Sequence, residues 1–100
     1  MIKINYMSQR IYDVMVKRFN ISKDTSLKAW LLRLSMLWRK ADDAIHEKEC
    51  SRFVFSECEL VLADMILFCV AMLKRTGVKN IETLLRRRLE ESEKNNKLRK

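Results

Sequence analysis

The chain has 100 residues, enough for one domain and too few for two, because a small domain buries only a limited share of its surface. It contains no proline and one glycine, Gly77, so the turn chemistry that hairpins and sheets require is nearly absent and helices are the default expectation. Lys and Arg number 21 against 13 Asp and Glu, a formal net charge of +8, which attracts phosphates, nucleic acid, anionic lipid or acidic proteins without choosing among them.

In chain order, the first helix is expected over residues 4–19, where Met7, Ile11, Val14 and Met15 share a stripe and Arg10, Lys17 and Arg18 lie largely off it. Capping residues follow between Asn20 and Thr25. A second helix over 24–47 then repeats Leu27, Leu31, Leu34, Trp38, Ala41 and Ile45 at alternating spacings of four and three. Trp30, Leu37 and Ala44 broaden its apolar face, so it should touch more than one neighbour. Polar residues from His46 to Arg52 make the next break, with Ser51 a candidate cap for a third helix over 52–76 that Gly77 ends in the left-handed conformation. Between Leu60 and Leu73 this third helix is apolar on every side, which a helix tolerates only when surrounded. Three partners of this size leave part of it uncovered, and a homodimer or larger assembly is expected on that surface. The same run falls short of the ~20 residues a membrane span needs. Asn80 is placed to cap a fourth helix over 81–96, where Ile81, Leu84, Leu85 and Leu89 lie beside Arg86, Arg87 and Arg88, and residues 97–100 are expected to fray. The whole of 1–100 reads as one domain.

The three cysteines, Cys50, Cys58 and Cys69, match neither a CxxC metal pattern nor a disulfide framework. They read as reduced core thiols of a cytoplasmic protein, and no secretory signal pattern opens the chain. His46, the only histidine, has no nucleophile motif around it and reads as a helix-end surface residue. Trp30 and Trp38 read as core packing rather than a base-stacking platform, and Met36, Met65 and Met72 as core filler.

Asp64 is the residue this core should not contain. An ionised carboxylate buried within LVLADMILFCVAML costs several kcal/mol unless it is paired, hydrogen-bonded or bound to metal. The stretch LADMILFCVAMLKRTGVKNIETLLRRRLEESEKN resembles the third and fourth helices of the MazG-like all-α nucleotide pyrophosphohydrolases, where an acidic-x-x-Asp helix, a Gly-containing turn and a Leu-rich basic helix follow in that order. The preceding LSMLWRKADDAI resembles their second helix. The pattern covers roughly Leu27 to Asn96 and is most specific from Leu62 to Leu85.

The resemblance implies an all-α, four-helix, dimeric bundle that hydrolyses nucleoside triphosphates to monophosphate and pyrophosphate, with magnesium held by several carboxylates. Hard cations take oxygen ligands and offset phosphate charge, which is why that chemistry needs acids. This sequence departs from the pattern at most of those positions. The adjacent glutamates and the acid three positions on are matched by Met36, Leu37 and Lys40, and the acid three before Asp64 by Val61. The expectation is therefore a non-catalytic scaffold without cofactor, in which Lys40 and Asp64 form a buried ion pair where metal would sit. A slipped register keeps the alternative of an active magnesium-dependent pyrophosphohydrolase, using Asp43, Glu47, Glu57 and Asp64 on two adjacent helices.

From Lys74 onward basic residues outnumber acidic ones. The family's phosphate-contacting lysine and asparagine of the last helix are matched by Arg88 and Ser92. Lys74, Arg75, Arg86, Arg87 and Arg88 are the expected anion-binding set, since arginine makes forked contacts with phosphate. The function expected is that of an inhibitor or sponge engaging a nucleotide, a nucleic acid or an acidic protein surface, with no membrane partner. A small basic nucleic-acid-binding protein is the remaining alternative.

Overall fold

The structure, a computed structural model, describes residues 3–45 and 56–98, with side chains to Asn95, and these form four α-helices. They are α1 (Ile4–Phe19), α2 (Leu27–Ala44), α3 (Glu57–Arg75) and α4 (Ile81–Leu98). Five of the boundaries have a local cause in capping or in a left-handed residue. Asn20 adopts the left-handed conformation with φ 54°, and the Ile21 N–H donates to the Val16 carbonyl, closing α1. Ser26 caps α2 by accepting from the Ala29 N–H at 3.2 Å. α3 opens on a reciprocal box, in which the Glu59 N–H donates to the Ser56 hydroxyl at 3.2 Å and the Ser56 N–H donates to the Glu59 carboxylate at 3.1 Å. The alternative cap Ser51 lies outside the described residues. α3 ends where Gly77, at φ 96°, lets the Gly77 and Val78 N–H groups return to the Lys74 and Leu73 carbonyls. Asn80 caps α4 by accepting from the Thr83 N–H at 3.0 Å.

The core forms where α1 and α2 both pack along α3. Trp30 of α2 and Phe68 of α3 are wholly buried. The Trp30 ring stacks on Tyr12 of α1 at 6.0 Å and lies 5.5 Å from Phe68, which meets Phe19 of α1 edge-on at 5.1 Å. Four aromatic rings thus tie three helices together, in geometries that add about 0.5–1.5 kcal/mol per pair beyond burial. The connection between α1 and α2 is held by side chains of the helices beneath it. The Trp30 indole N–H donates to the Ser22 carbonyl at 3.1 Å and the Arg75 guanidinium to the Thr25 carbonyl at 2.7 Å. Arg33 reaches the terminal carbonyl of α1 at Phe19.

α4 is attached differently. Ile81 is buried, but from Leu85 to Asn95 every residue is exposed. Beside Ile81 the anchor is polar: the Asn5 N–H donates to the Glu82 carboxylate at 3.2 Å, the Glu82 N–H donates to the Asn5 side-chain oxygen at 3.1 Å, and the Asn5 amide donates to the Asn80 side-chain oxygen at 2.8 Å. The radius of gyration is 15.7 Å, against about 13 Å for a compact chain of this length.

Several expectations about the core need correction. Trp38, eight residues from Trp30, is 60% exposed, because that spacing carries it about 80° around the helix from the buried stripe. Met36 is exposed as well, while Met65 and Met72 pack against the core. Cys58 is half-buried and Cys69 exposed, both as free thiols; Cys50 and His46 lie outside the described residues.

Replacing Phe68 with alanine should lower stability in urea unfolding by about 3–5 kcal/mol, whereas Tyr6→Ala, at an 88% exposed position, should stay within about 0.5 kcal/mol. The Ser56 backbone N–H, helped by the Ser56 side chain, holds the Glu59 carboxyl below the usual carboxylate range. A lowered folded value means stability present above the ordinary carboxylate pKa and lost as pH falls through the folded one. Glu59→Gln keeps the box and removes the titration, so its thermal midpoint should fall less than wild type's as pH drops across that window.

Candidate functional site

Asp64 faces α1, on the side where the last turn of that helix carries Arg18. An Arg18 Nη2 atom donates to Asp64 Oδ2 at 3.0 Å, with the two side chains 43% and 26% exposed. The carboxylate is therefore at the edge of the core rather than within it. Its hydrogen bond and charge raise the Arg18 pKa, and partial burial opposes them. The guanidinium also lies 5.1 Å from the centre of the Phe19 ring, within range of a cation–π contact.

This corrects the expected buried pair of Lys40 with Asp64. Arg18 takes the carboxylate because α1 lies against that side of α3, and its planar fork suits carboxylate geometry. Lys40 stays exposed on α2.

Lys40 instead lines a groove between α1 and α2 of about 440 Å³, together with Arg18, Phe19, Met36, Leu37, Arg39 and Asp43. Met36, Leu37 and Lys40, where the expected register would put acids, line one cavity beside the Arg18–Asp64 pair. Its apolar lining is Phe19, Met36 and Leu37, and its charged lining is Arg39 and Lys40 against Asp43, with Arg18 already paired to Asp64. Such a lining does not suit magnesium, which needs several oxygen ligands and the negative charge they bring. Asp64 is engaged with Arg18, and Asp43 alone is too few. Among the described residues no three of His, Cys, Asp or Glu come together, so Asp43, Glu57 and Asp64 do not assemble as the alternative register requires; Glu47 lies outside the described residues. What the groove can do chemically is accept an anion over an apolar surface.

The C-terminal basic set is divided by the structure. Arg75 spends a guanidinium N–H on the Thr25 carbonyl, and its Nε is buried without a partner, so it serves the fold. Lys74 is half-buried. Arg86, Arg87 and Arg88 are exposed on α4, with Arg88 paired to Glu91 one turn on. Arg18 and Arg39 are the groove residues that sequence reasoning missed. The signal available for Arg18 was its place in the last turn of a helix, where a cation is favoured by the helix dipole.

Arg18→Ala should destabilise the protein in urea unfolding by less than about 1 kcal/mol, the range of a largely solvated ion pair. Lys40→Ala should have no measurable effect. A larger loss at Lys40 would restore the pairing rejected above.

No family model matches the chain, and no curated protein or solved structure matches it either.

Proposed function

We propose that the protein is a non-catalytic, MazG-like helical binding module of the cytoplasm. It works as a homodimer and acts as an inhibitor or sponge that captures a phosphate-bearing ligand without a metal cofactor. One observation supports this reading: the groove that gathers Met36, Leu37 and Lys40 is lined by Arg39 and Lys40, beside an Arg18 paired to Asp64, where a hydrolase of the resembled kind needs carboxylates. Cations in place of acids turn a magnesium-dependent chemistry into direct electrostatic capture, because guanidinium and ammonium groups do for phosphate charge what the metal would. The apolar lining of Phe19, Met36 and Leu37 suits the non-phosphate part of a nucleotide. Lys74 and the α4 arginines Arg86, Arg87 and Arg88 extend the positive field beyond the groove and help draw anions in.

The exposed arginines of α4 favour a second reading, non-specific nucleic-acid binding, which would be marked by affinity for duplex or single strands that falls steeply with salt.

Isothermal titration with a nucleoside triphosphate, in the presence of a chelator, tests the principal reading. Binding should occur without magnesium, and Arg39→Glu with Lys40→Glu should weaken it at least tenfold. Chromatography of the incubated nucleotide should show no pyrophosphate released. Magnesium-dependent release of pyrophosphate would overturn the proposal in favour of an active hydrolase.

A further inference from the structure

Among the described residues, an exposed apolar surface runs along α2 and the side of α3 opposite Asp64. On α2, Leu27, Leu31, Trp38 and Ile45 follow one another at spacings of four and seven, so they form one stripe. On α3, Leu62 and Ile66 make the neighbouring stripe. All six side chains are between 41% and 65% exposed. The two stripes belong to one face, since Trp38 and Ile45 share the walls of a shallow groove with Leu62, Asp42 and Cys58. Two packed helices normally turn such stripes inward, and an exposed apolar surface of this extent marks an interface.

We infer that this α2–α3 face is where two copies of the chain associate, laid antiparallel across a two-fold axis; the inference rests on the homodimer reading and names its surface. Two features select a second copy as occupant. The first is area: between 41% and 65% of each of six large apolar residues lies in water, a large part of the about 800 Å² per partner that a stable interface buries. The second is charge. A two-fold interface must complement itself, and this one carries opposite signs at its two ends. Asp42, four residues after Trp38, and Glu59, three before Leu62, rim one end of the face; Lys28, three before Leu31, rims the other. An antiparallel arrangement sets the acidic end of each copy against the basic end of its partner. A parallel one would set like charges together. The cation also answers a local need, because the last turn of α2 holds Asp42 and Asp43 and no basic residue, at the end of a helix where negative charge is unfavourable.

Sedimentation analysis of the full chain at micromolar concentration tests this. Wild type should run at twice the 12.0 kDa of one chain. Trp38→Glu and Ile66→Glu should run at the single-chain mass with helical circular dichroism retained, while Leu32→Glu, exposed but off the stripe, should remain paired. Lys28→Glu should weaken association at least tenfold, and Asp42→Lys added to it should recover most of the loss. If either glutamate variant fails to fold, the charge exchange decides. A pair that survives both glutamate substitutions, or a charge exchange that restores nothing, overturns the proposed surface and leaves the homodimer reading standing. A wild type that sediments as one chain overturns both, and leaves anion capture in the groove to its own titration.

Discussion

The fold depends on Trp30. Its side chain joins three parts of the assembly: its ring stacks against α1, abuts Phe68 of α3, and its indole N–H holds the connection through the Ser22 carbonyl. A buried indole without a partner for its N–H would carry a desolvation penalty. Here that same bond decides where the chain goes between two helices, so satisfying the donor and setting the path of the connection are one event. Arg33 and Arg75 continue the arrangement by bonding the Phe19 and Thr25 carbonyls on either side. With the connection held at three points, α1 cannot slide along α3, and its last turn is delivered to the edge where Asp64 waits.

The groove inherits its character from that delivery. Once Arg18 is bound to Asp64, the only acid of α3 in that region is neutralised and the remaining lining from α2 is mostly cationic. Two outcomes were open to a carboxylate in an apolar helix: attract a metal with other acids, or attract a cation of the protein's own. This chain has taken the second, using a residue at the end of a different helix from the one its spacing suggested. The pair is partly solvated, so its contribution to stability is small, and its larger effect is on the sign of the field in the cavity next to it.

How far these features were legible in the sequence follows from their range. Helix positions rest on local signals, such as the Ser56 and Glu59 box, the left-handed Asn20 and Gly77, and the three-and-four spacing of α2, and such signals act within a few residues. Stripe membership was legible only coarsely. Trp30 and Trp38 look equivalent at a spacing of eight, yet one is wholly buried and the other mostly exposed, because eight residues overshoot two turns by about 80°. The expected start of α3 at Ser51 differs from the observed one because only Ser56 is followed at three residues by an acid, Glu59, which completes the reciprocal box. The partner of Asp64 was not legible at all. Arg18 is 46 residues away, and nothing in either segment says which face of α3 will receive α1. The groove follows from the same long-range packing, so Arg39 and Arg18 could not be grouped before the helices were placed.

The junction of α1 with α4 has a kinetic meaning. Asn5 and Glu82 exchange backbone and side-chain bonds across 77 positions, nearly the full span of the chain, and beyond Ile81 the last helix has little else to rest on. Loop-closure entropy must be met before so distant a contact is rewarded. On this ground the three-helix body is expected to assemble before the latch shuts. In the native state the same junction is the natural first point of opening, so amide protons near Glu82 should exchange with solvent ahead of those around Phe68.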